Sequence, residues 1–145
     1  RMPSRGHVLD LPYPREGEAE VTQEVFIPGP MPGMNELIGA ANRSRFQYAA
    51  MKKSWTEVVH IHALASKLRR AESPVAVSFV WREPNRRRDL DNVAGGGSKL
   101  VLDGLVKAGV LAGDGWRDVY SIDHLFQVDA KNPCVLVRIG PAVPF

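Results

Sequence analysis

The alternation of apolar and polar residues along the chain predicts a small sheet. Four strands are predicted, each rich in β-branched or aromatic residues, at 21–28, 74–82, 119–128 and 133–139. The cluster of Pro and Gly at 28–33 is expected to end the first strand in a loop. The turn Asp-Ala-Lys-Asn at 129–132 predicts that the last two strands form an antiparallel pair.

Helical periodicity predicts two helices between these strands. The first runs from about Ser44 to Arg70, and its apolar stripe, which we expect to face the core, comprises Met51, Trp55, Val58, Ile61, Ala65 and Leu68. The second runs from about Ser98 to Ala108 and stops at Gly109. The predicted fold class is therefore α/β (α+β), a single domain with a small mixed sheet flanked by two helices.

The length of 145 residues fits one domain. We expect a flexible N-terminal tail at 1–20, a domain at 21–140 and a short C-terminal tail at 141–145. No segment approaches the roughly 20 consecutive apolar residues of a membrane span. The start of the chain lacks a signal-peptide pattern. Because Cys134 is the single cysteine, no disulfide framework exists. We expect a cytoplasmic protein with no membrane partner.

The charge distribution favours one basic face. The formal net charge is +3, which permits a polyanionic partner without requiring one. The basic residues cluster at Arg43, Arg45, Lys52, Lys53, Lys67, Arg69, Arg70, Arg82 and 86–88. Lys52 and Lys53 lie off the apolar stripe of the first predicted helix, so they are free to face solvent or phosphate.

The segment Arg-Arg-Arg-Asp-Leu-Asp-Asn at 86–92 is the main candidate for chemistry. In an extended segment, Asp89 and Asp91 project to the same side, with their Cα atoms about 7 Å apart. Two carboxylates held this close repel each other unless a proton, arginines or a hard cation compensates. Magnesium suits a site with few carboxylates and free positions for water and phosphate. Asp114, in the loop after the second helix, is the candidate for a third carboxylate.

Lys99 has two interpretations. It lies behind Gly95-Gly96-Gly97-Ser98, at the predicted start of the second helix. Glycines let a ligand approach the backbone, and a helix N-terminus attracts anions, so this segment is predicted to bind phosphate. Lys99 would then offset charge on the reacting phosphate. Local rules equally allow Lys99 to be a surface partner of Asp103 at i+4.

Two other motifs fail on the residues present. A calcium-binding EF-hand loop starting at Asp89 needs an oxygen ligand, then Gly and, further on, Glu. At these positions the chain has Val93, Ala94 and Leu100. A phosphate-binding P-loop needs Gly before its lysine and Ser or Thr after it, whereas Ser98 precedes Lys99 and Leu100 follows it.

The central motif resembles the RusA family of Holliday-junction resolvases. The resemblance rests on Arg-Arg-Arg-Asp-Leu-Asp-Asn, a lysine after it, then Leu-Asp-Gly-Leu-Val-Lys-Ala-Gly-Val-Leu and a following Asp. More loosely, it extends to Phe-Ile-Pro-Gly-Pro at 26–30 and covers about residues 21–139. It implies a homodimeric endonuclease of phage or prophage type that uses Mg²⁺, or Mn²⁺ as a substitute, to nick opposing strands of a four-way DNA junction.

Carried over to this chain, the resemblance implies a role for each motif residue. Asp89, Asp91 and Asp114 would bind the metal and be catalytic, Lys99 would be the catalytic lysine and Asn92 a supporting residue. The chain departs from the family pattern, because the lysine follows the Asp-Asn pair more closely there, whereas Val-Ala-Gly-Gly-Gly-Ser intervenes here. The DNA phosphates would be held, without base reading, by Arg86, Arg87, Arg88, Lys52 and Lys53.

Several alternatives remain open from the residues. Asp118 rivals Asp114 as the third carboxylate. The protein can also be a branched-DNA-binding module of the same fold without catalysis, or a metal nuclease that acts on another branched substrate or on RNA. In the simplest alternative, the chain is an α/β domain whose Asp pair is a turn salt-bridged to its arginines.

Overall fold

Four strands and three helices make up the described part of the chain, residues 22–142 of a computed structural model. In chain order they are β1 (Gln23–Pro28), α1 (Met34–Arg43), α2 (Arg45–Ala65), β2 (Val75–Glu83), α3 (Leu90–Lys107), β3 (Val119–Val128) and β4 (Cys134–Pro141). The predicted tail at 1–20 and the last three residues of the chain lie outside this range. None of these helices is long and apolar enough to cross a membrane.

The strands form one mixed sheet in the order β1-β4-β2-β3. β4 pairs antiparallel with both β1 and β2, whereas β3 pairs parallel with β2. The core lies on one face of this sheet, where alternate strand residues pack against α2 and α3. Its most buried members include Val77, Phe79, Val59, Leu100 and Leu105. The predicted α+β class and all four strands are therefore confirmed.

The predicted antiparallel pairing of the last two strands is wrong. β3 is an edge strand beside β2, and β4 lies on the other side of β2. The chain crosses the end of β2 between them, and the Asp129 N–H donates to the carbonyl of Glu83 at 2.8 Å. Residues 129–132 therefore do not close a hairpin. The short connection resembles a hairpin turn in the sequence, because sequence spacing does not reveal that β2 lies between β3 and β4 in the sheet.

The predicted first helix, from about Ser44 to Arg70, corresponds to α2, which begins at Arg45 but ends earlier, at Ala65. A further helix, α1, precedes it and was not predicted. Ser44 separates the two helices, because its extended backbone ends α1 and its Oγ accepts the Gln47 N–H at 3.0 Å as the N-cap of α2. The flanking helices number three, not two. The predicted stripe is only partly correct, since Val59 and Ala63 are the buried residues of α2, whereas Ile61 is exposed.

The helix after β2 begins at Leu90 instead of Ser98, so the glycine run lies inside it. A Cβ on Gly96 would lie 2.4 Å from the Gly33 carbonyl carbon, and one on Gly97 would lie 2.6 Å from the Trp81 ring. Each glycine costs about 1 kcal/mol of helix stability relative to alanine. The close contact of α3 with the loop before α1 and with β2 offsets this cost. The predicted glycine loop with a phosphate-binding helix end at Ser98 is therefore wrong.

Replacing Gly96 by Ala should destabilise the protein, because its Cβ would meet main-chain atoms that cannot move alone. We expect the free energy of unfolding to fall by about 1–3 kcal/mol in urea denaturation. Gly95→Ala is the matched control, since its Cβ would touch only the flexible Met34 side chain, at 3.3 Å. That variant should be neutral or up to about 1 kcal/mol more stable. Equal stability of the two variants would contradict the close packing.

A polar contact lies among the aromatic residues of β2 and β3. The Trp81 indole N–H donates to His124 Nδ1 at 2.9 Å, and the imidazole stacks between Phe79 and Phe126, with centroid distances of 5.1 and 6.3 Å. Burial lowers the pKa of His124, although the neighbouring Asp123 acts in the opposite direction. The folded state therefore favours a neutral imidazole with Nδ1 as the acceptor.

Acidification should weaken the fold through His124. Because its pKa is lowered on folding, the unfolded chain takes up a proton before the folded chain does, and stability declines as the pH falls below the unfolded value of about 6.5. We expect a smaller loss of unfolding free energy between pH 7.5 and 5.5 in His124→Gln than in the native protein, measured by urea denaturation. An unchanged loss would show that His124 does not carry this dependence.

Candidate functional site

Asp89 and Asp91 flank the start of α3. Asp89 is the N-cap with an extended backbone, but its carboxylate makes no capping hydrogen bond. Asp91 Oδ1 accepts the Asn92 N–H at 2.9 Å. Both side chains are exposed, and among residues 22–142 no ion pair engages either of them. The expected extended geometry of the pair is wrong because the helix begins between the two residues, yet their carboxylates are accessible.

An open cleft adjoins this helix start. It has a volume of about 460 Å³ and lies where the parallel strands β2 and β3 end. Its lining comprises Glu83, Asn85, Arg86, Arg88, Asp89, Leu90, Val93, Phe126, Gln127 and Val128. Ligands of open α/β sheets bind outside the carboxyl ends of parallel strands. The cleft brings Asp89 together with the predicted DNA contacts Arg86 and Arg88.

Arg88 is partly buried and is held by three partners. Its Nε and Nη2 atoms donate to the two carboxylate oxygens of Glu83, both at 2.9 Å. Its Nη1 donates to Glu36 Oε1 at 2.8 Å and to the Met31 carbonyl at 2.9 Å. Although partial burial acts in the opposite direction, hydrogen bonds from Gly33 N–H and Arg88 lower the pKa of Glu36. Arg88 thus differs from Arg86 and Arg87, whose side chains are exposed.

Asn92 links the site to α1. Its Oδ1 accepts the Asn35 N–H at 2.7 Å, which satisfies one of the free donors in the first turn of α1. The predicted supporting residue therefore has a visible structural contact. Together with Arg88, it fixes the start of α3 against the start of α1.

Lys99 lies in a separate cluster further along α3. Its Nζ donates to Asp114 Oδ2 at 2.9 Å and lies 3.1 Å from Asp103 Oδ1. The hydrogen bond to Asp114, with a second to Asp103, raises the pKa of Lys99, and the same contact with Lys99 lowers the pKa of Asp114. The i+4 pairing of Lys99 with Asp103 is therefore confirmed.

The predicted lysines of the first long helix lie on α2. Lys52 Nζ is 3.9 Å from Asp103 Oδ2 and 6.0 Å from the centre of the Tyr48 ring. Lys53 is exposed. Lys52 therefore extends the cluster, so that charged side chains run from α2 across α3 to the loop that contains Asp114.

The predicted three-carboxylate centre is not assembled. Lys99 follows Asp91 by eight residues of helix, a rise of about 12 Å, and Asp114 lies against Lys99. Asp118 is held by Ser73, whose Oγ donates to its Oδ1 at 2.8 Å. Across residues 22–142, no three His, Cys, Asp or Glu side chains are grouped as metal ligands. Asp89 and Asp91 fit the one or two carboxylates that magnesium takes from proteins, whereas Asp114 does not fit as their partner.

Some residues that the structure places in or near the site were not predicted from the sequence patterns. Glu83 and Glu36, the partners of Arg88, come from β2 and α1, and no local spacing connects them. Trp116 is completely exposed in the Asp114 loop. A tryptophan inside the Gly- and Asp-rich stretch at 113–118 was a signal for this exposure.

The fold and this site define a small α+β protein with an accessible carboxylate pair at a helix start, beside a cleft. In comparisons with known proteins, no family model matches the chain. No curated protein matches it either.

Replacing Arg88 by Met should destabilise the fold, because Glu83, whose side chain is only 12% exposed, would lose its cation. We expect the free energy of unfolding to fall by about 2–4 kcal/mol, near the cost of breaking a buried ion pair. Arg86→Met, at an exposed position, should change it by no more than about 0.5 kcal/mol. Thermal and urea denaturation measure both values. A comparable effect of the two substitutions would contradict the internal role of Arg88.

Proposed function

We propose that this protein is a magnesium-dependent endodeoxyribonuclease of the RusA type that resolves four-way DNA junctions. It acts as a homodimer in the cytoplasm, and Mn²⁺ can replace Mg²⁺. The observation that carries the proposal is the pair of exposed carboxylates Asp89 and Asp91 at the start of α3, where Asp89 and Arg86 line the cleft. The resemblance of the segment 86–92 to the resolvase motif supports this substrate.

Each part of the site has a task in phosphodiester hydrolysis. The attacking water loses a proton as its oxygen forms a bond to phosphorus, one P–O ester bond breaks, and the leaving oxygen takes up a proton. Arg86 and Arg87, both exposed, would hold the flanking phosphates by charge. Asp89 and Asp91 would hold Mg²⁺, which supplies the activation of water and the charge stabilisation on the phosphate. Arg88 and Asn92 would keep both carboxylates in place through their contacts with α1.

Lys99 has to exchange partners in order to act on the phosphate. In this arrangement it contacts two carboxylates, Asp103 and Asp114, and both contacts favour its charged form. A phosphate that approaches along α3 would compete with these carboxylates for the ammonium group. Lys99 therefore has the charge that a catalytic lysine needs, at a position about two helical turns from Asp91.

The separation of Lys99 from Asp91 along α3 also supports a second candidate function. A catalytically inactive protein of the same fold would keep its exposed cations and bind branched DNA without cutting it. The specific observation in its favour is that Lys99 and Asp114 pair with each other, whereas in the described residues 22–142 neither forms an ion pair or hydrogen bond with Asp91. The two candidates differ in whether the protein cleaves DNA in the presence of metal.

The Asp91→Asn variant should lose cleavage while it retains DNA binding. We expect paired nicks when the native protein acts on a labelled four-way junction with Mg²⁺, and none with EDTA. The variant should cut at least about a hundredfold more slowly, since a metal contributes several kcal/mol to such reactions. Its junction affinity should stay within about threefold of the native value, because the phosphate contacts come from cations.

Glu72→Gln is the matched control, because Glu72 is an exposed acid outside the site. It should cleave the junction at the native rate, and a linear duplex should remain uncut by all forms. Tight binding of the junction without any metal-dependent cut would reject the nuclease and favour the binding module.

A further inference from the structure

A shallow groove lies beside the loop that joins α3 to β3. Its volume is about 350 Å³ and its lining comprises Asp114, Gly115, Trp116, Val119, Tyr120, Ser121 and Ile122. The Trp116 side chain is completely exposed. One wall of the groove is thus a large planar aromatic ring that is open to solvent.

Trp116 contributes nothing to the core. Of the other two tryptophans, Trp81 is buried and Trp55 packs against the core cluster. Single exposed apolar side chains are common on protein surfaces. Trp116 differs because it lines a groove, next to the half-exposed Ile122. A planar ligand that stacked on the indole would bury apolar surface that the fold leaves in water.

The surroundings of the groove favour a strand of nucleic acid. Arg117 follows Trp116 in the chain, is exposed and makes no ion pair within residues 22–142. Lys99 contacts Asp114, which lines the groove, and Lys52 continues the line of charge onto α2. Asp114 lines the groove and already accepts a hydrogen bond from Lys99, so its remaining acceptor capacity suits a neutral base with amino or imino donors better than a phosphate.

We propose that this groove binds a nucleobase of unpaired DNA, stacked on Trp116, with the adjoining phosphates held by Arg117. Aromatic side chains beside cations are a general means of binding single strands, because every base has a π-face. The inference rests on the proposed function in taking DNA as the ligand. It deepens that function by assigning the groove to an unstacked nucleotide, such as one at the branch point of a junction.

The test compares two oligonucleotides with equal charge. Labelled dT12 and a 12-mer of abasic nucleotides are titrated by fluorescence anisotropy with native protein, Trp116→Ala and Trp116→Phe. The native protein should bind dT12 about 5- to 100-fold more tightly than the abasic strand, the range expected for stacking of one base. Trp116→Ala should lose this preference, and Trp116→Phe should keep most of it. Unlabelled dT12 should also quench native tryptophan emission, because the Trp116 indole is fully exposed, whereas Trp81 is buried and Trp55 is partly buried.

The outcomes separate this inference from the proposed nuclease. Equal binding of dT12 by the native protein and Trp116→Ala, or equal binding of the abasic strand, would overturn the base site, even if Asp91-dependent cleavage is observed. A base preference that depends on Trp116 would support it even if no junction is cut. If Trp116→Ala instead changes only the sedimentation-measured association state, the indole is a contact between copies and the proposal fails. Because the side chain is completely exposed, all variants should show native stability in urea.

Discussion

The ion pair of Arg88 with Glu83 is the contact on which the geometry of the site depends. It connects the end of β2 to the residue before the N-cap of α3, and its remaining donors reach Glu36 and the Met31 carbonyl. A charge that is partly removed from water needs hydrogen-bond partners in order to stabilise the fold. Four of the five N–H donors of this guanidinium are used, by three partners, so the direction in which Asp89 leaves the sheet is fixed by contacts with both β2 and α1.

The glycine run also fixes the position of α3, through close packing further along the helix. Because Gly96 and Gly97 lack side chains, the helix lies against the loop before α1 and against Trp81 at distances that no other residue allows. Glycine lowers the helix propensity at these positions, but it allows α3 to pack closely against the loop before α1 and against Trp81. The start of α3, which carries Asp89 and Asp91, is therefore held in two ways: by the close packing of the helix at Gly96 and Gly97 and by the hydrogen bonds of Arg88.

The sequence predicts those features that are decided by local pattern. The strand at 119–128 has the predicted bounds, and the pairing of Lys99 with Asp103 follows from their spacing alone. The errors arise where tertiary contacts override local preference. Gly95 to Gly97 look like a loop until the packing against Gly33 and Trp81 is known, and β3 and β4 look like a hairpin until β2 is placed between them. The partners of Arg88 leave no periodic trace, because Glu83 is at the end of β2 and Glu36 lies on α1, 52 residues away.

The length of α3 separates its polar side chains into two groups, one at the start of the helix and one about two turns further on. Asp91 lies in its first turn, whereas Lys99 and Asp103 lie two and three turns further on, next to the loop of Asp114. The carboxylates at the helix start are exposed, and the positive end of the helix dipole stabilises their charged form. Those further along are neutralised by Lys99 and Lys52. Within residues 22–142 the same helix therefore presents one acidic pair without an ion-pair partner and one paired cluster, so that under the proposed function a divalent ion would meet uncompensated carboxylates only at Asp89 and Asp91.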